Sequence, residues 1–218
     1  MSSTRAPFVT YDSTLLDHIS IGADSSASLT SIKIASVLFL TALTAAAAQI
    51  SVHLPFTPVP FTLQPMVVLV GSAALGARLG AASQILYLLL GIAGAPVFAA
   101  SPILPQGAAR LLGPTGGYLM AYPIAAFVTG YLAERGFDRR YFTSVLAMLA
   151  GLCMLFLGGV TWLALFATSA AGPVGVQAAL ATGLYPFVVP DIVKVCLASA
   201  ILPTAWAVVG RAGEREIG

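Results

Sequence analysis

The chain has 218 residues, of which 58% are apolar and 8% charged, with a net charge of +2 and a mean hydropathy of +0.94. A soluble domain carries about 25% charged residues, and a disordered chain lacks apolar side chains, so both classes are excluded and an integral membrane protein is left. One helix takes about 20 residues to cross the hydrocarbon, so the length allows roughly five to seven spans in the lipid bilayer and no second domain, and no basic stripe marks nucleic acid as a partner.

Residues 1–30 are polar and include Asp12, Asp17 and Asp24 without a short apolar run behind a charged start, so no cleaved signal peptide is expected. They read as a mobile cytoplasmic tail with a short interfacial turn at Leu15–Ile19. Apolar runs broken by Gly, Pro or charge then predict six spans, Ile32–Ile50, Phe61–Ala77, Leu79–Val97, Gly116–Ala133, Tyr141–Thr168 and Val188–Val209. The expected fold is all-α, a bundle of six transmembrane helices over 31–210 with a cytoplasmic tail at 211–218. Spans two and three are separated by Gly76-Ala77-Arg78-Leu79-Gly80, read as a tight turn around one cation.

Lys and Arg collect in cytoplasmic segments. With the N terminus inside, those segments hold Arg5, Lys33, Arg78, Arg135, Arg139, Arg140, Arg211 and Arg215, eight of the ten. The exceptions are Arg110, in the loop between spans three and four, and Lys194, inside span six. Both termini are therefore expected in the cytoplasm.

Seven of the eight acids fall in the same cytoplasmic segments, and the eighth is Asp191. It precedes Lys194 by three residues, which puts both side chains on one helical face. Each ion costs roughly 2.5 to 3.5 kcal/mol at mid-span, so the pair reads as a buried polar ligand site. The alternative is a structural ion pair near the outer end of the helix. Pro190 reads as a helix start aiming backbone N–H groups at the same region.

The outer connections are rich in proline. HLPFTPVPFTLQ carries Pro55, Pro58 and Pro60 and reads as a rigid extended stretch. The loop between spans three and four carries Pro96, Pro102, Pro105 and Pro114 with glycines at 113, 116 and 117. Irregular backbone at membrane depth is tolerated where protein buries it or it lines a cavity, so both loops are expected to fold over the mouth above Asp191 and Lys194. A surface loop with no ligand is the alternative.

GPTGGY lacks the Lys-Ser/Thr ending of a phosphate loop and the context of a potassium filter. The only histidines are His18 and His53, which leaves no Ser/His dyad or histidine metal pair within a span. Cys153 and Cys196 lie in apolar runs as small hydrophobes. No enzyme, metal, cofactor or disulfide is expected. Polar neutral groups in the spans are Gln49, Gln64, Ser83, Gln84, Tyr87 and Tyr118; Gln84 and Tyr87 share a face, and each alone suits interhelical packing as well as a ligand.

PFTPVPFTLQ at 55–64, GAPVFA at 94–99, GPTGGYL at 113–119 and PFVVPDIVK at 186–194 together closely resemble the BioY family, the biotin-specific S component of energy-coupling factor (ECF) vitamin transporters. The likeness runs in order from about residue 31 to 209. It implies six helices with both termini inside, in the bacterial cell membrane, and capture of biotin from outside. The family's Asp-x-x-Lys biotin element maps onto Asp191 and Lys194, and its Ala-x-x-x-Ala face, which docks the transmembrane T component, maps onto Ala42 and Ala46. With no ATP site in the chain, ATP would be used by a pair of partner ATPases.

Biotin offers a ureido ring with two N–H donors and a carbonyl, an apolar sulfur ring, and a valerate carboxylate. Asp191 would accept from the ureido N–H groups. Lys194 would keep that acid ionised and donate to the carbonyl or the carboxylate. Tyr87, Tyr118 and Phe98 would cover the sulfur ring, Gln64 and Gln84 would supply further polar contacts, and Arg110 would pair the valerate. A channel or proton-coupled carrier with Asp191 as relay and a membrane scaffold are the rival classes, and homo-oligomerisation is left open.

Overall fold

The computed structural model describes residues 14–19, 26–101, 105–169 and 172–216, and the side chains among them apart from 18–19, 168–169, 172–173 and 209–216. Pro102 and the expected mobility of 1–13 and 20–25 lie outside the described residues. The short turn expected in the tail is the helix α1, Leu15–Ile19. Its first turn is closed by a reciprocal cap in which the Thr14 backbone N–H and hydroxyl donate to Asp17 Oδ2 (3.1 and 2.8 Å) and the Asp17 N–H donates back to Thr14 Oγ1.

Helix α2, Ser26–Gln49, starts six residues before the predicted span. In this polar start the Thr30 and Ser31 hydroxyls donate to the carbonyls of Ser26 and Ala27, four residues back, at 3.0 and 2.9 Å, so both side chains are satisfied within the helix. The chain after it is not one extended stretch. It folds back as a hairpin of β1, Ser51–Val52, and β2, Phe61–Thr62, with Ser51 opposite Thr62. That shortens the second predicted span to α3, Gln64–Leu75, with Pro65 in its first turn. Helix α4, Ala77–Ile92, follows after the single residue Gly76. The predicted five-residue turn is thus one glycine at φ 87°, with Arg78, Leu79 and Gly80 already helical. Glu134 Oε1 accepts from the first N–H of α4, on Ala77, at 2.8 Å.

The next loop contains a short helix, α5, Ala109–Leu112, and leads into α6, Gly116–Glu134. A 3-10 turn at Phe137–Arg139 joins it to α7, Tyr141–Leu165. A second small hairpin, β3 Thr168–Ser169 with β4 Gly172–Pro173, precedes α8, Val176–Gly183, which the sequence pattern did not announce. The last span is split into α9, Tyr185–Ala198, and α10, Ile201–Glu216. Pro186, not Pro190, stands in the first turn of α9, and Pro190 lies inside it. The backbone N–H groups at the start of α9 therefore lie more than a turn before Asp191, and the sequence expectation is corrected on this point. Trp206 on α10 donates its indole N–H to Asp138 Oδ2 at 2.6 Å, tying the end of the chain to the α6–α7 turn.

Among the described residues three stretches are long and apolar enough to cross a membrane, Ser26–Gln49, Tyr141–Leu165 and Tyr185–Val208, and Gln64–Leu75 and Ala77–Ile92 are shorter apolar helices. Large apolar side chains face outward, among them Phe39 at 69% and Phe142 at 81% exposure, which in a bundle of this composition is a lipid-facing surface. Helix α6 is central, packed on α3, α4 and α7. Lipid is as apolar as leucine, so helices in it associate through close backbone approach. Buried Gly117, Ala121, Ala125, Ala126 and Gly130 on α6 supply the small side chains for that approach. A Cβ on Gly117 would lie 2.1 Å from Trp162 Cβ and 2.5 Å from the Gly158 carbonyl oxygen. Gly117→Val is expected to destabilise the protein by about 3 kcal/mol through overpacking, measured as a lowered unfolding midpoint in detergent.

Candidate functional site

At the end of the bundle opposite the Gly76 turn, six parts of the chain line a cavity of about 650 Å³, its open mouth included. The β1–β2 hairpin gives Val59, Pro60 and Thr62, and the start of α3 gives Gln64. The α4–α6 connection gives Phe98, Ala99, Arg110 and Thr115, and α6 gives Tyr118 and Tyr122. Helix α7 closes one side with Leu152, Leu155 and Phe156, and α9 gives Phe187, Asp191 and Lys194. Both proline-rich loops therefore reach the same cavity as the ion pair.

Asp191 and Lys194 lie one turn apart on α9, with Lys194 Nζ 2.7 Å from Asp191 Oδ1 and side chains only 6% and 11% exposed. The ammonium is held twice more. It donates to the Thr62 carbonyl of the hairpin at 2.8 Å and stands 3.6 Å from the centroid of the Phe61 ring, a cation–π contact strengthened by exclusion of water. Lys194 thus ties α9 to the loop over the cavity. A second tie is the Thr57 hydroxyl, which donates to the Thr182 carbonyl at 2.6 Å.

Arg110, 1% exposed, donates to the carbonyls of Ala99 and Pro105. Burial pulls its pKa below the ordinary guanidinium value, and the neighbouring Tyr87 opposes that pull. The Tyr118 hydroxyl donates to the Gly183 carbonyl at 2.6 Å. The ring fits because Gly159 has no side chain, since a Cβ there would lie 2.1 Å from it.

Of the residues singled out in the sequence, Asp191, Lys194, Gln64, Tyr118, Phe98 and Arg110 line the cavity. Tyr87 stands one layer behind, fully buried, with its ring edge-on to Phe98 at 5.6 Å. Gln84 is not in the cavity wall. It is packed between α4 and α2, donating to Thr44 Oγ1 at 3.3 Å and Ser83 Oγ at 3.0 Å, the interhelical role that a lone glutamine commonly has. Ala42 and Ala46 are exposed on the outer face of α2.

Sequence reasoning missed Tyr122, Phe187, Thr62, Thr115 and the α7 residues. Tyr122 follows Tyr118 by four, and Phe187 precedes Asp191 by four, so helical spacing from the chosen residues points to both. Thr62 and the α7 residues carry no such signal, because the hairpin and the packing of α7 are tertiary.

Over residues 23–211 the chain matches the BioY family. It is 43% identical over 169 residues to the probable biotin transporter BioY of Pyrococcus horikoshii, covering 78% of this chain and 93% of that protein. It is 38% identical over 162 residues to the biotin transporter BioY of Thermotoga maritima, covering 74% and 88%. The fold is similar, with a TM-score of 0.71 and 24% identity over 84% of this chain and 94% of the other, to the crystal structure of an S-component for biotin from an ECF-type ABC transporter. With most of its length in the family match and two relatives aligned over the greater part of their own length, the chain belongs to the BioY family.

Proposed function

We propose that this protein is the membrane-embedded biotin-binding subunit of a vitamin uptake system. It captures biotin in the Asp191–Lys194 cavity from the outer side of the cell membrane and delivers it inward with a T component and paired ATPases. The observation that carries this reading is a buried acid–amine pair opening on a largely apolar cavity in a chain whose relatives are named biotin transporters. An apolar pocket with few convergent polar groups is the form that small-molecule sites take.

The chemistry fits biotin part by part. Asp191 Oδ1 is held by Lys194, which leaves Oδ2 to accept from a ureido N–H. Tyr118, Tyr122, Phe98 and Phe187 are placed to cover the sulfur ring, and Arg110 to pair the valerate carboxylate. In this reading the chain spans the membrane six times, with α9 and α10 as one broken span and both termini in the cytoplasm, an orientation supported by eight of ten cations in the inner segments. The exposed Ala42 and Ala46, one turn apart on α2, would let a T-component helix approach closely.

The test is equilibrium binding of biotin, desthiobiotin and thiamine to the purified chain. Saturable binding of biotin at submicromolar Kd, weaker desthiobiotin binding and no thiamine binding are expected. Preference for thiamine would overturn the substrate.

A further inference from the structure

Behind the cavity wall a chain of hydrogen bonds has a direction set by its last member. The Val97 carbonyl can only accept, and it takes the one proton of the Tyr87 hydroxyl at 3.0 Å. The Tyr87 oxygen can then only accept, and what it accepts is an N–H of the Gln64 amide, Nε2, at 2.7 Å. That fixes which end of the amide is which. Reversed, two oxygens would compete for one phenolic proton, and the Val97 carbonyl or the amide oxygen would be left unpaired in a region where Tyr87 is fully buried and Gln64 is 3% exposed, at a cost water cannot offset.

With its nitrogen turned to Tyr87, the amide has its oxygen on the side of Thr62, whose hydroxyl lies 3.4 Å from Oε1. Thr62 and Gln64 both line the cavity and Tyr87 does not. The relay therefore offers the cavity an acceptor, one of whose lone pairs is engaged only by the long Thr62 contact. Asp191 offers a second through Oδ2.

From this polarity we infer that Tyr87 is a positioning residue that sets the specificity of the site, by holding the Gln64 carbonyl oxygen toward the ligand so that the pocket demands two N–H donors. The inference rests on the biotin reading above and deepens it: Asp191 receives one ureido N–H and Gln64 the other. A pocket built this way rejects an isostere that lacks one donor far more strongly than one that lacks a methylene, because the acceptor is left buried and unpaired.

The experiment measures binding of biotin and of its two cyclic carbamate analogues, each with one ureido N–H replaced by ring oxygen, to purified wild type, Tyr87→Phe, Gln64→Met and the double variant. Unfolding midpoints are recorded alongside. Wild type is expected to bind biotin at least thirtyfold tighter than either analogue. Gln64→Met is expected to lose that preference against one of the two and keep it against the other. Tyr87→Phe removes only an oxygen, and should weaken biotin about tenfold while changing the same analogue less than threefold. The double variant should match Gln64→Met within twofold, since Tyr87 acts through Gln64.

Equal losses for biotin and both analogues in Tyr87→Phe would overturn the inference, as would a further fivefold loss on adding it to Gln64→Met. Should Tyr87→Phe fail to fold, an unchanged preference in Gln64→Met overturns it alone. A wild type that binds biotin without preference over the carbamates sinks this inference and spares the biotin reading, whereas a wild type that does not bind biotin sinks the reading itself.

Discussion

Asp191→Asn is expected to weaken biotin binding about a hundredfold with little change in the unfolding midpoint, whereas Lys194→Met is expected to weaken binding as much and lower the midpoint as well. The asymmetry follows from what each substitution leaves behind. Asparagine removes the charge but keeps a carbonyl oxygen on the same turn, and the Lys194 ammonium it leaves behind retains the Thr62 carbonyl and the Phe61 ring; the binding loss is that of a desolvated charge-assisted hydrogen bond, about 3 kcal/mol. Removing the ammonium strands the Asp191 carboxylate and takes the donor from the Thr62 carbonyl; an uncompensated buried charge costs about 3 to 5 kcal/mol. The double variant should therefore recover most of the midpoint and none of the binding. Titration of each purified variant, with melting curves on the same samples, checks all three. Binding retained by Asp191→Asn within a fewfold of wild type would remove the acid from the site.

Arg110→Met carries the second large effect. The guanidinium is buried in the cavity wall and holds the α4–α6 loop through the carbonyls of Ala99 and Pro105. If it also pairs the ligand carboxylate, wild type should bind biotin at least thirtyfold tighter than biotinol, the alcohol that lacks the charge, and the variant should bind the two alike. The variant should also unfold earlier by about 2 kcal/mol, since the two carbonyls lose a donor. A variant that melts earlier yet still prefers biotin over biotinol would confine Arg110 to holding the loop.

What sequence reading could reach followed from patterns with a period. Apolar runs placed α4, α6 and α7 within a few residues at their starts, and charge singled out Asp191 and Lys194 because ions are scarce in such a chain. It failed where tertiary contacts decide. The polar start of α2 is helical with its serine and threonine hydroxyls bonded to carbonyls one turn back, and the proline stretch at 53–60 bends into a hairpin that Lys194 and the Thr182 carbonyl hold from outside it. Gln84 looked equivalent to Gln64 in sequence, yet one faces α2 and the other the cavity, a difference that depends on which helix packs where.

Pro190 sits one residue before Asp191 and has no N–H to give the carbonyl of Pro186. The ladder of α9 is therefore missing a rung at the turn that presents the acid, and this is the most compliant place along that helix. A carboxylate mounted there can tilt without rupturing the backbone bond that Pro190 already lacks, so its adjustment is inexpensive.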